Sequence, residues 1–285
     1  MSSTLQIGPL ALPWSLLLIV LAVLLGHTVG RRVGRASGVD PEPQTFRLLL
    51  LALLAARLGF IWPYRGLYLD EPLRMLDIRD GGWDAQVGLI TGWLATLVWV
   101  QRRPALRRPL LAAVGSASLL WLLGTGLLLW QTRAMPPLPA VSVARLDGSR
   151  LSLPALRGQP TVINLWASWC PPCRREMPVL AAAQAAHPEV RFVFINQGEA
   201  ADAVQAFLTH QSPGLQQVLL DPRSEVGASL GQRALPTTFF FDAQGRLVDQ
   251  RIGELSPATL AQRLARLNAG ATAAPTSPPA SLPSP

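Results

Sequence analysis

A chain of 285 residues with 49% hydrophobic side chains and a formal net charge of +8 has room for one large domain or two modest ones. All 25 basic residues are Arg, and the basic excess gathers around the apolar segments of the first half. A nucleic-acid footprint would need Arg clustered with interleaved aromatics in the second half, and that pattern is absent, so nucleic acid is excluded as a partner.

In chain order, four apolar stretches approach the roughly 20 residues that a bilayer span needs. They lie at 11–30 (ALPWSLLLIVLAVLLGHTVG), 45–62 (TFRLLLLALLAARLGFIW), 85–101 (AQVGLITGWLATLVWVQ) and 109–131 (PLLAAVGSASLLWLLGTGLLLWQ). The first has no basic region before it and its charges follow, which reads as a retained span rather than a cleaved signal. Short connections carrying Arg31, Arg32, Arg35 and Arg47, and then Arg102, Arg103, Arg107 and Arg108, are expected on the cytoplasmic side. The connection 63–84, with Asp70, Glu71, Asp77, Asp80 and Asp84, is expected outside. Four spans then put both ends, and everything after Arg133, in the periplasm of an inner-membrane protein. Trp14, Trp62, Trp83, Trp99 and Trp130 fall near the span ends, as an aromatic belt would.

Residues 56–92 of this half resemble prolipoprotein diacylglyceryl transferases, and the likeness extends over about 10–131. Arg57, Leu58, Gly59 and Phe60 stand where that family has Arg-Leu-Gly-Tyr, and Gly81, Gly82 and Gly88 match its glycine-rich motif. Gln86 stands at the position of the motif histidine, so the candidate base of a transfer reaction is missing. Arg57, costly inside a span, is expected to serve packing or headgroup contact, and His27 to be an interfacial side chain. This half therefore reads as an anchor in the lipid bilayer, truncated relative to the family it resembles.

Residues 134–140 (AMPPLPA) form a stiff Pro-rich linker. Beyond it, strands at 161–167, 190–196, 237–242 and 245–253 alternate with helical stretches at 174–187, 201–211 and 256–270, and 215–221 reads as a short extended piece. Ser256 is the expected cap of the last helix, Pro257 its first residue and Gly270 its end. Residues 271–285 read as a disordered tail. The organisation is thus a four-helix transmembrane domain over 1–133, the linker, an α/β domain over 141–270 and the tail.

Cys170 and Cys173 are the only cysteines. They sit in Trp-Ala-Ser-Trp-Cys-Pro-Pro-Cys (166–173), between an apolar strand and a helix. Unpaired N–H groups and the positive end of the helix dipole stabilise a thiolate there, so Cys170 is expected to attack disulfides and Cys173 to resolve the product. Pro172 pre-sets the turn. A permanent C-x-x-C loop is too short to stabilise by loop entropy. A structural zinc site would need two more ligands, and His187 and His210 lack the spacing, so neither metal nor cofactor is expected.

Residues 162–178 (VINLWASWCPPCRREMP) and 232–245 (QRALPTTFFFDAQG) closely resemble the TlpA/ResA branch of thioredoxin-like proteins, over about 136–268. That resemblance implies a thioredoxin-like α/β sandwich following the all-α four-span domain, and a periplasmic thiol–disulfide oxidoreductase. Such proteins reduce disulfides in exported apoproteins, in cytochrome c maturation or at copper sites. It also implies that Pro236 is a cis-proline facing the disulfide, that Leu235 offers backbone groups to clients, and that Trp169, Pro171 and Pro172 complete the client surface. Asn164 replaces the buried Asp of thioredoxins, and Glu176, one turn beyond Cys173, is the expected proton carrier. The alternatives are a dithiol oxidase of folding proteins and a Cu(I) chaperone. Because no span contains cysteine, a reductase would need a separate transmembrane thiol donor of the DsbD/CcdA type.

Overall fold

The computed structural model describes residues 4–7, 10–69, 71–132, 136–211 and 214–272. By internal contacts the chain divides into two compact units, Met1–Ala134 and Met135–Pro285.

In the first unit a short hairpin, β1 (Thr4–Ile7) and β2 (Leu10–Pro13), leads into α1 (Trp14–Ala36), followed by α2 (Glu42–Ile61), α3 (Ala85–Arg102) and α4 (Arg107–Thr132). Gly26 and Gly30 of α1 leave room for Ala113 and Ala117 of α4, a close approach of backbones that works in the absence of a hydrophobic driving force. Outward-facing Leu21, Leu54 and Leu123 are each more than half exposed, a surface suited to hydrocarbon rather than water.

Three segments, not the four expected, are both long and apolar enough to cross a membrane: Trp14–Ala36, Glu42–Tyr68 and Pro104–Trp130. The expected span at 85–101 does form a helix, α3. Its 18 residues reach only about 27 Å, and they include Gln86, Gln101 and Arg102, which lower its mean hydropathy. Helix α3 is closely packed on its neighbours. Gly88 meets Ala52 and Ala56 of α2, Gly59 of α2 meets Val87, and Trp93 Nε1 donates to Ser118 Oγ of α4 at 3.1 Å.

Arg57 organises the connection between α2 and α3, which is built from 3-10 turns at Trp62–Tyr68, Pro72–Leu76 and Ile78–Asp80. The residue is only 6% exposed. Its Nε donates to the carbonyl of Met75, Nη1 to Asp80 Oδ1 and the carbonyl of Gly82, and Nη2 to the carbonyls of Asp77 and Arg74. Five donors in a fixed fork thus meet five acceptors from the chain. A side chain at Gly82 would run into the Phe60 ring and the guanidinium, so Gly82 is the position at which this approach requires glycine.

In the second unit a seven-stranded sheet has the order β4-β3-β7-β6-β5-β8-β9. Its strands are β3 (Ser142–Arg145), β4 (Arg150–Ser152), β5 (Thr161–Trp166), β6 (Arg191–Gln197), β7 (Val218–Asp221), β8 (Thr237–Phe241) and β9 (Leu247–Ile252). Strands β5, β6 and β7 are parallel, whereas β8 runs antiparallel to β5 and β9 antiparallel to β8. The helices are α5 (Pro171–Ala186), α6 (Ala201–Gln211), α7 (Glu225–Ser229) and α8 (Pro257–Thr272). The central strands are buried on both faces, as parallel strands flanked by covering elements must be. Val162, Trp166, Phe192, Phe194 and Phe240 face α5, α6 and α8, while Ile163, Leu165, Val193, Ile195, Phe239 and Phe241 face Val226, Leu153 and Val143. This is a thioredoxin-like α/β domain.

Several boundaries differ from expectation. The extended piece at 215–221 becomes strand only from Val218, and the hairpin β3–β4 and the short α7 carried too little apolar alternation to be read in advance. Ser256 Oγ does accept from Thr259 N at the start of α8, but the helix runs past Gly270 to Thr272. Of the expected tail, 273–285 lies outside the described residues, as do 133–135 at the linker. Leu138 is buried, and its N–H donates to the carbonyl of Gly245.

Replacing Arg57 with Leu would leave Asp80 buried without its ion pair, a loss of about 3–5 kcal/mol. The expected outcome is new protease cleavage within 62–84 in detergent-solubilised protein. Lys should not restore protection, because one ammonium cannot serve five acceptors; wild-type cleavage in Arg57→Leu would contradict the clamp.

Candidate active site

The site is set by the turn from β5 into α5. Strand β5 ends at the fully buried Trp166, whose ring packs on Phe207 at 5.1 Å. Cys170 is the N-cap of α5, with Pro171 and Pro172 in the first turn, where a missing N–H costs nothing. The Cys173 N–H donates to Cys170 Sγ at 3.3 Å, and the two cysteines are joined as a disulfide. Reduced, Cys170 would carry its charge at the positive end of the helix, facing an N–H that already points at the sulfur.

The approach to the cysteines is fastened by a residue that sequence reasoning missed. Glu199, just after β6, accepts from Ser168 N at 2.7 Å, from Ser168 Oγ, and from Asn196 Nδ2 at 2.6 Å. The only sequence signal for it is an acid shortly after a strand, which is too common to single out. With Ser168 held, Trp169 projects outward, 67% exposed, beside the buried Cys170. Pro171 is exposed and Pro172 half-buried. The Leu235–Pro236 peptide is cis. Pro236 is buried, and Leu235 packs against the core cluster that contains both cysteines. All of the expected site residues therefore belong to one unit, and none comes from the first.

Below the disulfide lies a polar group in an apolar stripe. The buried face of α5 is Cys173, Glu176, Met177 and Leu180, so Glu176 occupies a position where helical periodicity calls for a hydrophobe. Asn164 of β5 and Thr238 of β8 are directly paired across the sheet, on the face turned to α5. Asn164 Nδ2 donates to Thr238 Oγ1 at 3.0 Å and to Glu176 Oε1 at 2.8 Å. The second oxygen, Glu176 Oε2, accepts from Leu255 N at 3.0 Å. Burial pushes the Glu176 carboxyl up to about 8, against these two hydrogen bonds, which favour the charged form. The nearby Glu254 adds to the rise and Arg251 opposes it. The carboxyl lies one helical turn beyond Cys173 on the buried face of α5.

Gln86 is exposed, and its N–H caps onto Asp84 Oδ1 at the start of α3.

Residues 134–264 match the family model described as Redoxin, and residues 2–130 match that described as prolipoprotein diacylglyceryl transferase. The thiol-disulfide oxidoreductase ResA of Bacillus thuringiensis (strain Al Hakam) is 32% identical over 119 residues, covering 41% of this chain and 68% of that protein. A thiol:disulfide interchange protein DsbE homolog of Paracoccus denitrificans (strain Pd 1222) is 36% identical over 119 residues, covering 41% and 65% respectively. Among solved structures, MTB dsbF in its mixed oxidised and reduced forms is 30% identical, with 47% of this chain and 99% of that one covered and a TM-score of 0.42.

The raised Glu176 pKa ties stability to pH. The folded state keeps a proton that the unfolded state releases near the ordinary value of 4.5. The stabilisation is complete below that value and is lost as pH rises towards 8, with a limiting slope of about 1.4 kcal/mol per pH unit for one proton. Denaturant unfolding at pH 5 to about 8 is expected to show Glu176→Gln gaining on wild type as pH rises; parallel stability curves would refute the buried neutral carboxyl.

Proposed function

This chain belongs to the thiol–disulfide oxidoreductases of the ResA and DsbE type, and from that premise we propose that it is a membrane-anchored reductant of disulfides in exported proteins. The observation that carries the reading is the Cys170–Cys173 pair at the start of α5, backed by the Glu176 carboxyl.

In the forward reaction the Cys170 thiolate attacks a client disulfide. A mixed disulfide forms, and the first client sulfur leaves and takes up a proton. Cys173 then gives its proton to the ionised form of Glu176 and attacks Cys170 Sγ, closing the intramolecular disulfide. The second client sulfur is released as a thiolate, which takes up a proton from solvent while Glu176 later returns its own. Two electrons pass from the dithiol to the client. Trp169, Pro171, Pro172, Leu235 and Pro236 would form the client surface. The classes of client proposed are apoproteins of cytochrome c maturation and copper-site proteins.

The first unit is read as a four-pass anchor in the inner membrane, with α3 as the additional pass. Its close packing on α2 and its bond to α4 support that role despite its modest hydropathy. The Arg-rich connections would face the cytoplasm, leaving both ends in the periplasm. Since both cysteines lie in the second unit, the anchor cannot relay electrons by thiol exchange. A separate transmembrane thiol carrier of the DsbD/CcdA type would restore the dithiol.

Acid-quenched thiol trapping in cells tests the direction of electron flow. The pair is expected to be mostly reduced when such a carrier is present and oxidised when it is deleted. A pair that stays oxidised in both strains would overturn the reductase assignment.

A further inference from the structure

Glu176 and its neighbour Arg175 make two parallel ties to one segment of chain. Inward, Glu176 Oε2 accepts from Leu255 N. Outward, the Arg175 guanidinium grips the carboxylate of Glu254, with Nη2 at 2.7 Å and Nε at 3.0 Å from Oε2. Consecutive residues of α5 thus hold consecutive residues of the connection between β9 and α8. The same connection is tied at its start, where Gly253 N donates to the carbonyl of Pro236, and at its end by the reciprocal bonds of Ser256 and Thr259. Leu255 buries its side chain in the core shared by both cysteines.

We propose that Arg175 and Glu254 are a positioning pair, which keeps the Leu255 N–H aimed at the Glu176 carboxyl and masks the charge of Glu254 from it. The proposal rests on the reading of Glu176 as the proton carrier. The groups around that carboxyl are few. Cys173 lies on its own helix, Asn164 and Thr238 are uncharged partners on β5 and β8, Arg251 comes from β9, and Glu254 from the connection. Glu254 is therefore the acidic neighbour whose field acts on Glu176, and Arg175 is the cation seated on it. Loss of Arg175 has two consequences of the same sign. An unpaired Glu254 repels a second carboxylate, and a loosened segment withdraws an N–H that favours the ionised form. The pair is partly exposed, so its contribution to overall stability is small and the fold should survive its removal.

The test is the pH dependence of the rate at which the reduced full-length chain, in detergent, reduces oxidised glutathione. Beyond the inflection set by ionisation of Cys170, wild type should show a second inflection that Glu176→Gln abolishes. Arg175→Met should move that inflection upward by about 0.5–1 pH unit, which at one unit lowers the ionised fraction near neutrality about tenfold. Arg175→Lys should recover part of the shift, since an ammonium can still pair with Glu254. An inflection unmoved in Arg175→Met, while Glu176→Gln still abolishes it, would overturn the positioning pair alone. A second inflection that persists in Glu176→Gln would bring down the proton-carrier reading, and this pair with it.

Discussion

A carboxyl group buried between an amide and a backbone N–H is the interaction on which the rest of the second unit converges. Glu176 takes a place in the stripe of α5 that would otherwise hold a hydrophobe. Burying it costs free energy, partly offset by the hydrogen bonds from Asn164 and Leu255. Each partner demands something of the fold. Asn164 needs β5 and β8 in a register that sets Thr238 beside it. Leu255 needs the chain to return from β9 across the end of α5 before α8 begins. The strand-to-helix turn, with Cys170 as cap and Cys173 one turn before Glu176, then puts the sulfur pair on the same helix end as the carboxyl.

The first unit obeys a different constraint: buried charge is tolerated where every donor is spent. Arg57 gives all five N–H bonds to the α2–α3 connection, so none is left for a lipid phosphate. Gln86, exposed at the start of α3, stands where the family that this unit matches has its motif histidine. The two units divide the labour, one carrying apolar helices and the other the redox pair.

The sequence made the reactive centre legible because its signal is local. Two cysteines with two residues between them, preceded by an apolar run and followed by helix-forming residues, state their chemistry within a dozen positions. Glu176 was also visible, as an acid one turn from Cys173. Its partners were not. Leu255 and Glu254 stand 79 residues from Glu176 and Arg175, and no periodicity marks a contact across that separation. Glu199 looked like an ordinary loop acid until Ser168 was placed against it. The hairpin β3–β4 is short and mostly exposed or half-buried, so it carries little alternation to read. Helix α3 formed where its apolar run predicted a helix, but polar residues at its ends keep it below the hydropathy of the three longer apolar segments, and its glycine contacts with α2 carried no sequence signal.

The claim at the centre is that Glu176 and the cysteine pair share protons as well as space. Reduction would create a thiol at Cys173, one turn from Glu176, and a thiolate there would raise the pKa of the carboxyl relative to the disulfide form. The most direct measurement is the reduction potential of Cys170–Cys173 against pH, in the full chain and in Glu176→Gln. Each proton taken up with two electrons contributes about 30 mV per pH unit to the slope. Wild type should show a change of slope near the Glu176 pKa of about 8 that is missing from the Gln variant. Superimposable slopes in the two proteins would contradict the account.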